Sequence, residues 1–140
     1  MLKTLITHLI LARDEVVVLD MEAGIEHLGR GTASAVNKLI VVVEPGKRSI
    51  ETARHIQELS RDIGLKNVVL VGNKIRGDQD KVFLQKELQG FHFLGFLPYD
   101  PQIIEADLEG KAPFEKKQDL AVQVGKIVDD LIAENVSKVH

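Results

Sequence analysis

The 140-residue sequence contains no cysteine. That excludes a disulfide framework and any thiolate metal site built from these residues alone, and it fits a reducing cytoplasm. Strong charge of either sign is also missing: 18 Lys and Arg against 21 Asp and Glu give a net charge of −3, with pI near 5.9. Such a balance leaves no general nucleic-acid footprint. No stretch approaches the roughly 18 consecutive apolar residues of a membrane span. Internal repeats, low-complexity segments and linkers are absent too. The sequence therefore reads as one α/β domain over residues 1–140, large enough for a sizeable core, with a frayed tail from about 136 to 140. Met1 to Ala12 places Lys3 ahead of an apolar stretch, but Thr4, Thr7 and His8 interrupt it and no small-residue cleavage site follows. The expectation is a cytoplasmic protein without a signal peptide. Leu2, Leu5, Ile6, Leu9 and Ile10 instead recur at the spacing of an amphipathic helix.

What is present is a set of short, continuous apolar runs. Val16–Leu19, Leu39–Val43, Asn67–Val71 and Phe91–Leu97 predict about four strands buried on both faces, as in parallel sheets. The connections between them are long enough for crossovers and mostly carry helical patterns, so a mainly parallel sheet flanked by helices follows. Ser49 is placed to cap a helix with Ile50, Ala53, Ile56, Leu59 and Ile63 on one face, and Gly64 to stop it. Residues 78–88 predict a charged helix with Val82, Phe83 and Leu88 inward. Helices over about 101–108 and 116–134 complete the chain.

Parallel strands bring their carboxyl ends to one rim, where ligands bind in open α/β sheets. That rim collects Asp20, Glu44-Pro45, Asn73 and Pro98–Asp100. An acid closing a buried strand is costly unless it faces solvent or a cation, which makes Asp20 a site candidate on its own chemistry. Plainer roles exist for the others: Asn73 as a turn former, Pro98 and Pro101 as chain breakers, Lys47-Arg48 as a solvated helix start. His8, His55 and His92 lack ligand spacing. Glu26 and His27 are adjacent and do not face each other on a helix, so they make no metal pair.

The order D-x-x-A-G, E-P, N-K and P-Y-D resembles the MinD/ParA branch of P-loop nucleotide-dependent switches. Within it, Asp20-Met-Glu-Ala-Gly-Ile-Glu-His-Leu-Gly-Arg-Gly-Thr32 is most similar to the CooC-type ATPases that serve nickel insertion into carbon monoxide dehydrogenase. Ile40-Val-Val-Val-Glu-Pro45, Ser49-Ile-Glu-Thr52, Gly72-Asn-Lys-Ile75 and Leu97-Pro-Tyr-Asp100 support the likeness over nearly the whole chain. The family's G-K-G-G-x-G-K-T loop is missing, since no glycine here stands in a G-x-x-x-x-G-K-[ST] context. A cysteine pair that the CooC type uses for dimerisation and metal binding is missing as well. The sequence resembles the C-terminal half of such a protein, a truncated P-loop NTPase of SIMIBI-like fold.

The resemblance implies specific roles. Asp20 would hold magnesium through water. Gly24, with Ala23, would form the turn that senses the γ-phosphate. Asn73 would read adenine through its amide donor and acceptor, with Pro98, Tyr99 and Asp100 beside the base. Glu26, His27 and Arg30 would face a partner. Implied cofactors are ATP or ADP with Mg in the complete protein, with weak or no binding by this chain alone. Implied partners are a second copy, as a homodimer or strand-exchanged oligomer, and a client metalloenzyme of the carbon monoxide dehydrogenase type; neither nucleic acid nor membrane is expected. In that family a further strand lies between the segments 16–20 and 39–43, so this chain must close the gap, fill it with its N-terminal segment, or borrow a strand from a partner. The alternative is a non-catalytic dimerisation or partner-binding module derived from the same fold. A response-regulator or flavodoxin-like domain would need a second early acid cluster or a phosphate loop, and neither is found.

Overall fold

The computed structural model describes residues 16–21 and 36–136. Three parallel strands, β1 (Leu39–Val43), β2 (Val68–Ile75) and β3 (His92–Pro98), lie in the order β1-β2-β3. Helices α1 (Lys47–Ile63) and α2 (Asp78–Glu87) make the crossovers, and α3 (Pro101–Leu108), α4 (Pro113–Lys116) and α5 (Gln118–Val136) follow β3. The α/β class and parallel sheet are as expected, with three strands rather than four.

Side-chain alternation builds two layers on this sheet. Val41 and Val43 of β1 join Leu70 and Ile75 of β2 beneath α1 and α2, packing with Ile50, Ala53, Leu84 and Leu88. On the other face Val69, Val71 and Leu94 meet Leu97 and the α5 residues Ile127 and Leu131. Gly95 lets α5 come close, because a Cβ there would sit 2.7 Å from Ile127 Cγ1. α1 ends where Gly64 adopts φ 83°. That left-handed position favours glycine, and it lets the Gly64 and Leu65 N–H groups donate to the carbonyls of Arg61 (3.1 Å) and Ser60 (2.8 Å).

Four local expectations are corrected. Residues 16–21 carry no regular secondary structure, and Val16, Val17 and Val18 are 66, 46 and 83% exposed. A run of valines makes a buried strand only beside another strand, and among the described residues none pairs with it. α1 begins at Lys47 after Gly46, without a side-chain cap; Ser49 lies inside the helix, and its hydroxyl accepts the Glu44 N–H at 2.9 Å. In α2, Leu84 and Leu88 are the buried pair, whereas Val82 and Phe83 are exposed. The long final helix is two pieces, because Lys117 is extended between α4 and α5. The amphipathic pattern of residues 1–12 and the tail after 136 lie outside the described residues.

The C-terminal part of α5 is tied to the start of the sheet by charge. Glu134 takes ion pairs from Lys38, which precedes β1, and from His92 Nε2 at 2.6 Å. Lys38, with some help from His92, holds the Glu134 carboxyl below its ordinary pKa. Lys117 and the Gln102 N–H do the same for Asp100, and Arg76 for Asp80. A carboxylate whose folded pKa is depressed contributes stability above its unfolded pKa, near 4, and loses it as pH falls through the folded pKa. Urea unfolding between pH 7 and 3 should therefore show stability falling below about pH 4, with a shallower fall in Glu134→Gln and Asp100→Asn. An equally steep fall in both variants would contradict this account.

β1 remains open in two directions. Among the described residues it pairs with β2 alone. Ile40 and Val42, which face the α5 side by alternation, are 40 and 59% exposed. Val128 and Ile132 of α5, the helix on that side of the sheet, are exposed as well.

Candidate functional site

The carboxyl ends of the strands are shaped by an irregularity in β2. Gly72 is in register with Phe96 and Ile75 with Pro98, so Asn73 and Lys74 together oppose the single residue Leu97. This is a β-bulge, a device that re-aims side chains at a strand end. The ladder resumes beyond it, with Tyr99 N–H donating to the Ile75 carbonyl at 2.9 Å. Gly72 is required by its neighbour, because a Cβ there would lie 2.4 Å from Phe96 Cδ1. Lys74 takes φ 56°, the one left-handed non-glycine residue among those described, at a general cost of roughly 1–2 kcal/mol.

Three carboxylates surround the bulge, each with a cation. Glu44, just past β1, pairs with Lys74 Nζ at 2.8 Å, both side chains about half exposed. Pairs of that kind stabilise by about 0–1 kcal/mol. Asp80, in the first turn of α2, grips Arg76 through Nε at 2.9 Å and Nη2 at 3.0 Å, and it also accepts the Arg76 backbone N–H. This fork holds the Arg76 guanidinium above its ordinary pKa. Asp100 caps α3 by accepting the Gln102 N–H at 2.9 Å and pairs with Lys117 Nζ at 2.6 Å, which raises the Lys117 pKa. Its carboxylate is thus committed to fixing α3 and the approach to α5. What residues 98–100 leave at the rim is exposed Pro98, the 45%-exposed ring of Tyr99 and backbone groups.

The structure brings Asn73, Pro98, Tyr99 and Asp100 to one edge, across adjacent parallel strands. Asp20 is exposed in the irregular segment 16–21. Gly24, Glu26, His27 and Arg30 lie outside the described residues. Sequence reasoning passed over the Glu44–Lys74 and Arg76–Asp80 pairs. Their only linear signal is opposite charge at neighbouring strand ends and at i,i+4 spacing. A half-buried amide with a donor and an acceptor, next to a half-exposed tyrosine, suits the edge and face of a purine. Magnesium finds less here: Glu44, Asp80 and Asp100 all carry cations already, and no group of three or more His, Asp or Glu among the described residues could hold a metal ion. The open groove lined by Arg61, Lys66 and His92 lies at the opposite edge, by the starts of β2 and β3.

A parallel sheet with the two crossover helices on one face, a closing helix on the other and an irregular rim at the strand ends defines an α/β domain consistent with a truncated P-loop NTPase fold. No family model matches the chain, but individual relatives do. It is 44% identical over 135 residues to the uncharacterized ATP-binding protein MJ0823 of Methanocaldococcus jannaschii, covering 94% of this chain and 52% of the relative. It is 42% identical over 115 residues to the carbon monoxide dehydrogenase accessory protein CooC of Rhodospirillum rubrum, covering 82% of this chain and 44% of that protein. A second ATP-binding protein of M. jannaschii, MJ0685, matches at 39% over 105 residues, with 71% and 41% covered. The chain belongs to the CooC-like P-loop ATPases, and it spans about half the length of the curated relatives it matches.

Proposed function

We propose that this chain is the C-terminal, purine-side portion of an ATP-dependent ATPase of the CooC type that serves metallocentre maturation, with nickel insertion as the delivery step. The observation that carries the reading is the β2 bulge, which sets Asn73 beside Pro98, Tyr99 and the backbone of Asp100. Asn73 reads the adenine edge, Tyr99 and Pro98 cover the base, and Asp100 acts through its backbone while its side chain fixes α3. Asp20 would hold magnesium through water, and Gly24 would sense the γ-phosphate. The phosphate-binding loop of such ATPases supplies most of the affinity, through backbone N–H groups, a lysine and a helix N-terminus. By itself, then, this chain binds ATP or ADP weakly and does not hydrolyse ATP. The expected result of a Mg-ATP titration is affinity far weaker than micromolar with no phosphate release; sub-micromolar affinity would overturn the reading.

The open side of β1 supports the partner half of the proposal. Strands of parallel sheets are ordinarily covered on both faces, yet among the described residues β1 pairs with β2 alone and Ile40 and Val42 are 40 and 59% exposed. A homodimer or strand-exchanged oligomer would cover them in the cytoplasm, and the client is a metalloenzyme of the carbon monoxide dehydrogenase type. The same uncovered strip favours one second reading, a partner-binding module without nucleotide chemistry. Partner binding indifferent to Asp20→Ala and Asn73→Ala would select that reading.

A further inference from the structure

We infer that Glu44 and Lys74 form a positioning device for Asn73, a role that deepens the adenine-side reading and rests on it. Left-handed backbone favours glycine, and asparagine after it, yet the bulge of β2 places a lysine there at φ 56°. The ion pair to Glu44 offsets only part of that strain, because both groups are half exposed. Backbone strain that its own contacts do not repay concentrates at functional positions. Here the strained residue directly follows Asn73, the amide at the end of β2.

The linkage can be traced group by group. The Ser49 hydroxyl accepts the Glu44 N–H at 2.9 Å and fixes the turn leaving β1. From that turn the Glu44 carboxylate reaches across to Lys74 Nζ at 2.8 Å. Lys74 is thereby held from both sides, by the β2–β3 ladder that resumes at Ile75 and by the loop after β1. Asn73 and Lys74 are bracketed by the ladder positions Gly72 and Ile75, and the Glu44 pair adds a contact at Lys74, the residue next to Asn73. The pair links the ends of β1 and β2 beyond their last paired residues, Val43 and Gly72.

The test uses Lys74→Gly, Glu44→Gln and the exchanged pair Glu44→Lys with Lys74→Glu, in the full chain. Glycine accepts the left-handed conformation without strain, so Lys74→Gly keeps its fold and should melt no lower than the parent. Two readouts separate positioning from stability: the Asn73 side-chain amide signals by NMR, and adenosine affinity by titration. Lys74→Gly and Glu44→Gln should each collapse the dispersion of the Asn73 amide signals and weaken adenosine about five-fold, the loss of roughly one neutral hydrogen bond. The exchanged pair should recover both. Unchanged Asn73 signals in the single variants, or no recovery on exchange, would overturn the inference. If the parent chain takes up no adenosine, the adenine reading falls, and the amide signals alone still decide whether the pair positions Asn73.

Discussion

Leu70→Ala should destabilise the protein by about 3–4 kcal/mol, the usual cost of emptying a fully packed leucine site. Leu70 is completely buried in the central strand, within the cluster that includes Val41, Val43, Ile50 and Leu84. Neighbours on β1, α1 and α2 cannot all move inward together, so most of the cavity would remain. Domains of this size have about 5–15 kcal/mol in total, and the loss would be visible as a drop in Tm on the order of 10 °C. Val42→Ala is the matched control. Val42 is 59% exposed one strand away, and its truncation should cost under about 1 kcal/mol. Urea unfolding of the two variants measures the contrast directly; equal losses would mean that the layer under α1 and α2 is not the core.

Gly72→Ala carries the second large effect, at the junction of core and rim. The added methyl would fall 2.4 Å from Phe96 Cδ1 and 2.9 Å from Cε1, well inside contact distance. The Phe96 ring has little room to yield, because it stacks on Phe93 with centroids 5.0 Å apart and planes 18° from parallel. Overpacking of this kind costs typically 1–3 kcal/mol. The shift would also be felt one residue on, at Asn73. Combining Gly72→Ala with Phe96→Leu should return part of the stability, because the smaller side chain frees the space the methyl needs. A single variant as stable as the parent would contradict the close approach of β2 and β3 at this point.

Much of the fold was legible because β1 and the first half of β2 are runs of β-branched and leucine residues, and β3 is a run of phenylalanine and leucine broken by Gly95. Leu39–Val43 and Val16–Leu19 show the limit of that signal. Their local patterns are nearly the same, yet among the described residues only the first has a neighbouring strand to complete its hydrogen bonds, and pairing is not written in either segment. In α2 the choice lay among Val82, Phe83, Leu84 and Leu88; the i,i+4 pair Leu84 and Leu88 meets the sheet, a matter of helix rotation that adjacent apolar residues leave open. Ser49 had the chemistry of an N-cap, but Gly46 gave the chain an earlier start and turned the hydroxyl to Glu44. At the rim, Asn73 and Pro98–Asp100 followed from strand ends alone. The bulge did not, because an extra residue is defined only against a partner strand, and the Glu44–Lys74 contact depends on it.

The central claim is that the rim at the strand ends is the adenine side of a nucleotide site. An NMR titration of the full chain with Mg-ATP and adenosine, with guanosine as the comparison, tests it most directly. The account predicts shifts at Asn73 and Tyr99 with both adenine ligands, similar weak affinities for the two, and no comparable response to guanosine. Shifts confined to Arg61, Lys66 and His92 at the opposite edge, or equal responses to adenosine and guanosine, would contradict it.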